Sequence, residues 1–178
     1  MVARLTRLVR GVVVAVALAL VVAAPAAAAR PARTVLHFPG DRVGHFQAGD
    51  GCTFDVTVYA SPPAHVTITD FSDGTEVIQQ YAMKRVITSD VTGKTFLDNQ
   101  VYRDAEWIDP ATGMIRGETS GQFIDTFWPG DIGPYGVVDQ NVSYAITGHQ
   151  TYVLDPTTFA TLSVAITGTI TDICAAIS

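Results

Sequence analysis

A two-residue alternation of apolar and polar side chains is the feature that most limits what this chain can fold into. The last run, "TLSVAITGTITD" (161–172), puts its large apolar residues on one parity and its threonines on the other. These apolar residues are Leu162, Val164, Ile166 and Ile170. Such a period is typical of half-buried β-strands, whose successive side chains point to opposite faces. Similar runs, rich in β-branched and aromatic residues, begin at Thr53, and they predict an all-β protein.

Short turn signals separate these runs. Asp73-Gly74 is a strong hairpin signal, and Thr-Gly recurs in "DVTGKTF" (90–96) and "DPATGMI" (109–115). A catalytic aspartate loop would need Asp-Thr-Gly without a gap and a second copy beside it, and neither stretch has that spacing. Asp at the start of a loop and Gly where φ is positive are instead typical of turns. Both stretches are therefore interpreted as hairpin turns, and "DPTTFATL" as the one place for a helical turn.

Two cysteines bracket the strand-rich part of the chain. Cys52 precedes the first clear strand and Cys174 follows the last, and we expect them to form a disulfide rather than two buried thiols. Such a bond would bring the first and last strands together, as a closing barrel requires. The sequence thus predicts an antiparallel up-and-down β-barrel of about eight to ten strands, with a two-sheet β-sandwich as the alternative.

Glycines within the predicted strands suggest where the sheet bends. The segment "AITG" occurs twice, ending at Gly148 and at Gly168, and Gly117 and Gly121 lie in another run. Glycine inside a strand is typical of bends and bulges. We therefore expect neighbouring strands to bend at similar heights.

The first 29 residues predict an export signal. Three arginines precede an unbroken apolar run, and small residues follow up to Ala29, an order typical of a secretory signal peptide. An uncleaved membrane anchor over Gly11 to Ala29 is the alternative. The predicted organisation is a signal peptide (1–29), an N-terminal arm (30–50) with an extended piece near Val35 to Phe38, and one β-barrel domain (51–178). A secreted, extracellular protein without membrane association after cleavage is expected.

The charge of the chain limits its partners. The sequence has 11 basic and 17 acidic residues, and three of the arginines lie in the predicted signal peptide. The remaining 8 basic and 17 acidic residues give a net charge of −9. A surface this acidic disfavours nucleic acid and anionic membranes as partners.

Two segments supply the candidate ligand-binding residues. In "VYRDAEW" (101–107), Arg103 and Trp107 share one strand face, while Tyr102, Asp104 and Glu106 share the other. Whichever face points inward brings charge into the interior, as a polar floor for a ligand or as an internal ion pair. The loop "TFWPGDIGPYG" (126–136) carries Trp128 and Asp131 and would form a lid or rim of a cavity, or else a wide turn. The predicted ligand-binding residues are Arg103, Trp107, Trp128 and Asp131.

No motif identifies catalytic residues, a metal site or a cofactor. The four histidines lack metal-ligand spacing, and "DFSDGTE" (70–76) lacks the spacing of a calcium loop. A nucleophile elbow and a glycine-rich phosphate loop are also missing from the sequence. No metal and no cofactor are therefore expected.

Several short segments together resemble a known group of proteins. They are "CTFDV", "DFSDGTEV", "DVTGKT", "PGDIGPYG" and "GTITDIC". Across roughly residues 43 to 178, the chain resembles short secreted actinobacterial proteins without assigned function. The strand meander is also similar in architecture to the small barrels of lipocalins and of the allene oxide cyclase and dirigent proteins. The resemblance implies a fold and no particular activity.

Three functions agree with these features. The leading hypothesis is a secreted, non-catalytic β-barrel that binds a small molecule. The rivals are a barrel enzyme of the isomerase or cyclase type and an extracellular interaction or inhibitor module. An open apolar cavity would favour the first, a cavity with titratable groups of shifted pKa the second, and a filled barrel with an exposed aromatic patch the third.

Overall fold

The computed structural model describes residues 30–38, 40–61 and 64–178. The predicted signal peptide, 1–29, lies outside the described residues. The described part contains eleven strands and one short helix, which are β1 Ala32–Phe38, β2 Arg42–Phe46, β3 Val56–Ser61, β4 Ala64–Asp70, β5 Glu76–Ser89, β6 Thr95–Ile108, β7 Ile115–Phe127, β8 Ile132–Gly133, β9 Gly136–Val137, β10 Val142–Leu154, β11 Thr161–Asp172 and α1 Ile173–Ile177. The all-β prediction is confirmed. No helix in these ranges is long and apolar enough to cross a membrane.

Nine of the strands form one antiparallel sheet. Its main order is β1-β4-β5-β6-β7-β10-β11, with β3 also paired to β5 and β2 paired to β3. The predicted N-terminal arm therefore contributes two strands, β1 and β2, to the sheet. Among the described residues, no backbone pairing joins β11 to β1 or β2. The antiparallel sheet of many strands is thus confirmed, although the pairs β1–β4 and β3–β5 are not consecutive along the chain. Strand pairing alone does not separate the barrel from the sandwich.

The two Thr-Gly stretches are hairpin turns of one type, as predicted. Gly93 N donates to Ser89 O at 2.8 Å, and Gly113 N donates to Asp109 O at 2.7 Å. Both glycines have φ of 73°. The residue that starts the first turn is Ser89, whereas the carboxylate of Asp90 accepts from the Thr57 hydroxyl. Asp90, the acidic residue of "DVTGKTF", therefore binds a side chain of the neighbouring strand β3.

The stretch "DPTTFATL", the one place that the sequence left for a helical turn, is a single turn of the same type as the other two. Phe159 N donates to Asp155 O at 2.8 Å, and the Asp155 carboxylate accepts from the amides of Thr157 and Thr158. Phe159 has φ of 59°, the value that glycine supplies in the other two loops. A bulky residue is uncommon at a left-handed position, so this stretch lacks the glycine that marks the other two turns.

Side-chain alternation in β11 holds except at one residue. Three of the expected inward residues pack against the apolar cluster, namely Val164, Ile166 and Ile170. Leu162 instead is 44% exposed. The register between β10 and β11 shifts between Val153 and Leu154, which leaves Leu162 as the extra residue of a β-bulge. One extra residue in a strand moves a side chain to the other face of the sheet. The two-residue period therefore predicted the wrong face for Leu162.

The predicted disulfide between Cys52 and Cys174 is present. It joins α1 to the segment before β3, and the end of α1 is fully buried at Ile177. The hydroxyl of Thr92, in the β5–β6 turn, donates to Ile177 O at 2.7 Å. Because α1 has only five residues, it shows no periodicity, and sequence patterns did not predict it. The helix and the disulfide together cover one end of the sheet interior.

A row of glycines crosses three strands, and two of its members are the glycines of the repeated "AITG". Gly148 pairs with Gly121 of β7 on one side and with Gly168 of β11 on the other. All three have positive φ, between 122° and 150°. A side chain at any of them would meet the backbone of the neighbouring strand at 2.1 to 2.2 Å. The strands therefore approach one another here in a way that only glycine permits.

The sheet bends sharply at this glycine row. Gln150 lies opposite Thr119, which is six residues from Asp125 along β7. A straight strand would separate Thr119 and Asp125 by roughly 20 Å. Yet Gln150 Nε2 donates to Asp125 Oδ2 at 2.7 Å. The inner faces of the two halves of each long strand therefore face each other across the bend.

Candidate functional site

A cavity of about 180 Å³ lies in this bend, between β6, β7 and β10. Its charged lining residues are three acids, Asp104, Glu106 and Asp125. Aromatic rings from Tyr102, Phe123 and Tyr152 also line it. The described lining includes no lysine, arginine or histidine. A concave space with a few convergent polar groups is the usual form of a small-molecule site.

Strand register decides which face of β6 reaches the cavity. Asp104 pairs with Thr119, and Glu106 pairs with Gly117, both of which are buried on the inner face of β7. The interior therefore receives the face of Tyr102, Asp104 and Glu106. The sequence did not decide which face of β6 points inward. The face with Asp104 and Glu106 lines the cavity, whereas Arg103 lies on the opposite face.

Tyr152 is the centre of the polar cluster at one side of the cavity. Its ring lies across Gly117, where an added Cβ would stand 2.1 Å from the ring. Its hydroxyl lies 2.9 Å from Asp104 Oδ1 and 2.8 Å from Glu106 Oε1. The Thr119 hydroxyl donates to the same Asp104 oxygen at 2.6 Å. The single phenolic proton is therefore shared between two carboxyl groups.

Burial and neighbouring charge keep Tyr152 protonated. Loss of contact with water raises the pKa of the Tyr152 phenol well above its usual value of 10. The charges of Glu106 and Asp104 and the hydrogen bonds to them raise this pKa further. The phenol therefore acts as a hydrogen-bond donor in this cavity, and not as a tyrosinate base.

The raised pKa predicts a loss of stability in alkali that depends on Tyr152. The phenol ionises near pH 10 in the unfolded chain but stays protonated in the folded one. The contribution of Tyr152 to the free energy of unfolding is therefore complete below about pH 10 and falls above it. One proton corresponds to a slope of about 1.4 kcal/mol per pH unit. Urea unfolding of the wild type and of Tyr152→Phe between about pH 9 and pH 11 measures how the free energy of unfolding changes with pH. We expect the variant to lose stability less steeply, and equal slopes would contradict the assignment.

A second polar cluster lies on the other side of the bend. Gln150 is 3% exposed, and its Nε2 donates to Asp125 Oδ2 at 2.7 Å. Its Oε1 is buried and receives no hydrogen bond from the described residues. A buried amide oxygen without a donor costs about 1 to 3 kcal/mol, so buried polar atoms of this kind are few. Gln150, one of the residues that line the cavity, therefore holds a buried amide oxygen without a donor among the described residues.

Sequence patterns did not single out Gln150, Tyr152 or Asp125. Each is one residue in an ordinary alternating strand, and only the bend at the glycine row brings Asp125 to Gln150. The available signal was Gly117, a glycine on the inner face of a strand. An aromatic side chain often covers such a glycine from the neighbouring strand.

Two of the predicted ligand-binding residues lie on the outer face of the sheet or near it. The Arg103 side chain is 48% exposed, and its Nη1 lies 3.4 Å from Glu118 Oε1. Trp107 lines a separate depression of about 390 Å³, which Arg116 and Tyr152 also line. Neither Arg103 nor Trp107 lines the cavity in the bend. Ligand contact by these two residues stays a prediction.

The other two predicted residues form a structural unit. Asp131 is 6% exposed, and its Oδ2 accepts from the Trp128 amide at 2.8 Å. Its Oδ1 accepts from the Thr161 amide at 2.7 Å. Because Thr161 lines the cavity, Asp131 ties the 126–136 loop to the cavity rim. The geometry accounts for Asp131 as a loop anchor, and direct ligand contact by Trp128 or Asp131 stays a prediction.

The acidic groups do not form a metal centre. Within 30–38, 40–61 and 64–178, no three His, Cys, Asp or Glu side chains are grouped so that they could hold a metal ion. The lining consists instead of the Tyr152 cluster, the Gln150–Asp125 pair and the rings of Tyr102 and Phe123. Comparisons with protein-family models, with curated proteins and with solved structures found no match.

Proposed function

We propose that this protein is a secreted binding protein that holds one small molecule in the cavity at the bend of its sheet. The observation that carries the proposal is a cavity of about 180 Å³ lined by polar side chains and aromatic rings. Concave spaces with a few convergent polar groups are the usual form of small-molecule sites. The polar lining differs from the open apolar cavity that a lipocalin-like protein would have, so the molecule is expected to be polar.

Secretion is part of the proposal. The disulfide supports an oxidising compartment, because such bonds are rare in the cytosol. Export with cleavage after Ala29 would leave a mature protein that begins at Arg30. Sequencing of the amino terminus of the protein recovered from culture medium tests this. A cell-retained protein that begins at Met1 would contradict it.

A cavity-filling pair of variants tests the binding function. Leu154 lines the cavity, whereas Leu162 is exposed on the neighbouring strand. Each is replaced with tryptophan, the protein is purified from its native producer, and molecules released on denaturation are identified by mass spectrometry. We expect a copurified compound from the wild type and from Leu162→Trp, and a loss from Leu154→Trp. Equal recovery from both variants, or no compound from any protein, would oppose the proposal.

One observation favours an enzyme as the second candidate. A phenol hydrogen-bonded to two carboxyl groups brings titratable groups together in a cavity, as many acid–base sites do. Because the raised pKa of Tyr152 opposes proton transfer from the phenol, an isomerase or cyclase would use Tyr152 as a hydrogen-bond donor to the substrate and a carboxylate as the base. Turnover that is lost in Tyr152→Phe, with ligand binding retained, would favour the enzyme. Binding without any turnover by the wild type would favour the binding protein.

A further inference from the structure

We infer that the outer face of the sheet carries a second binding site, which holds one neutral hexopyranose unit of a carbohydrate against Trp107. The site is the depression of about 390 Å³ that Trp107 and Arg116 line. Trp107 lies on the opposite face of β6 from Asp104 and Glu106, so this inference does not rest on the binding function proposed for the bend. Three properties of the depression point to a sugar, namely its aromatic surface, its hydrogen-bonding groups and its lack of net charge.

Strand register places four side chains of the depression in one row. Trp107 of β6 pairs with Arg116 of β7, Arg116 pairs with Val153 of β10, and Val153 pairs with Ser163 of β11. Directly paired residues point to the same face of a sheet, so the row crosses the outer face of four strands. Arg116 and Ser163 are exposed, whereas Trp107 and Val153 are half-buried. The depression lies along this row, and a ligand can reach it from solvent.

Trp107 gives the depression a large aromatic surface. The face of an indole ring is apolar and carries partial negative charge. The C–H groups on one side of a hexopyranose ring are polarised by neighbouring oxygens, so they are attracted to such a face. Val153 and Ala165 add apolar surface to the lining. A saturated ring with one apolar side is therefore complementary to this part of the depression.

The polar residues of the lining can both donate and accept hydrogen bonds. Thr151 and Ser163 are exposed, and each hydroxyl can do both. The Arg116 side chain is 46% exposed and its Nε donates to Asp109 Oδ2 at 2.7 Å, so its Nη groups can donate to a ligand. Sugar hydroxyls also donate and accept, and they match this mixture. A purely apolar ligand would remove these groups from water without replacing their hydrogen bonds.

The depression has no net charge. Arg116 is the one charged residue in its described lining. The hydrogen bond from Arg116 lowers the pKa of the Asp109 carboxyl group, so the two side chains form an ion pair without net charge. Arg103, on the same face of β6 as Trp107, is paired with Glu118 at 3.4 Å. An organic anion or cation would find no unpaired charge in this lining, whereas a neutral sugar needs none.

The volume of the depression agrees with one sugar unit. Sites for small molecules generally have volumes between about 300 and 1,000 Å³. A cavity of about 150 Å³ accommodates benzene, so about 390 Å³ has room for a hexopyranose unit of about twelve non-hydrogen atoms. Because the depression is open to solvent, the neighbouring units of a longer glycan would extend over the surface of the sheet.

Isothermal titration calorimetry on the purified full chain tests the inference. The neutral probes are cellohexaose, maltohexaose and chitohexaose. The comparison probes are hexagalacturonate, whose pyranose rings carry carboxylates, and an uncharged hexaproline peptide, whose rings carry no hydroxyls. We expect at least one neutral oligosaccharide to bind at least about tenfold more tightly than both comparison probes.

Two substitutions of aromatic residues locate the site. Trp107→Ala removes the aromatic surface, and Tyr135→Ala is the matched control because Tyr135 is 75% exposed and does not line the depression. We expect Trp107→Ala to weaken binding of the neutral oligosaccharide at least about tenfold and Tyr135→Ala to leave it unchanged. Thermal unfolding checks that both variants fold. If Trp107→Ala does not fold, Ala165→Leu, at an exposed position of β11, fills part of the depression without new hydrogen-bonding groups and is expected to weaken binding similarly.

The other outcomes overturn the inference in distinguishable ways. No binding of any of the three neutral oligosaccharides would exclude the sugar. Hexagalacturonate binding as tightly as they do would show recognition of charge, and hexaproline binding as tightly would make the depression a peptide site. Wild-type affinity in Trp107→Ala, or in Ala165→Leu where only that variant folds, would place the carbohydrate elsewhere on the protein. None of these outcomes bears on the compound in the bend, which the copurification experiment tests.

Discussion

Replacing Gly148 with alanine is expected to prevent the long strands from assembling. The new Cβ would stand 2.1 Å from Thr167 O and 2.9 Å from Gly168 Cα, and both are backbone atoms of the paired strand. Gly148 also has φ of 150°, which disfavours any other residue. Relief would require β10 and β11 to separate at the bend, so we expect a loss of about 4 kcal/mol or more, or no folded protein. Urea unfolding followed by circular dichroism measures it.

Gly113→Ala is the matched control for this change. Gly113 also has positive φ, 73°, but an added Cβ would meet nothing within 4 Å. Only the left-handed backbone then opposes alanine, which costs about 1 to 2 kcal/mol. The excess loss in Gly148→Ala therefore measures the close approach of the strands. Equal losses in the two variants would show that the glycine row does not hold the bend.

Removing the disulfide is expected to have the second large effect. The Cys52–Cys174 bond closes a loop of 122 residues, for which the chain-entropy model predicts a stabilisation of about 5 kcal/mol. In the double variant Cys52→Ala/Cys174→Ala, α1 would still be held by the burial of Ile173 and Ile177 and by the hydrogen bonds from Thr92 and Lys94 to its C-terminal end. We expect the urea midpoint to fall strongly and the amides of α1 to exchange faster with deuterium than those of β7.

The reduced wild type provides the control for the disulfide variant. Reduction with a thiol reagent leaves both cysteine side chains in place and removes only the covalent link. We expect reduced wild type and the double alanine variant to have similar stability. A loss below about 1 kcal/mol in either would mean that the unfolded chain gains little freedom when the bond is absent.

Much of the fold follows from local patterns in the chain. Side-chain alternation in runs such as 161–172 predicted strands because one face of a sheet must be apolar to be buried. Asp-to-Gly loops predicted the hairpins at Gly74, Gly93 and Gly113, since these turns need a residue of positive φ. The cysteine count predicted the disulfide. Where a local pattern misled, at Leu162, the cause was a β-bulge that leaves no trace in periodicity.

Local patterns did not predict the candidate site. Arg103, Trp107, Trp128 and Asp131 were predicted as ligand-binding residues because charged and aromatic residues in loops and strands often bind ligands. The cavity instead uses the opposite face of β6, and only strand register decides which face is inner. Asp131 illustrates the difficulty, because a buried loop anchor and a ligand-binding acid look alike in a sequence.

The sequence by itself determined that this chain forms antiparallel β-strands, where its hairpins turn, which glycines interrupt the strands and which two cysteines form the disulfide. These properties depend on neighbouring residues, whose spacing is visible along the chain. Only the tertiary structure decided that the glycines form one row, that the sheet bends there, and that Gln150 reaches Asp125 across the bend at 2.7 Å. Contacts of this kind depend on the summed geometry of three long strands, and no short stretch of sequence contains it.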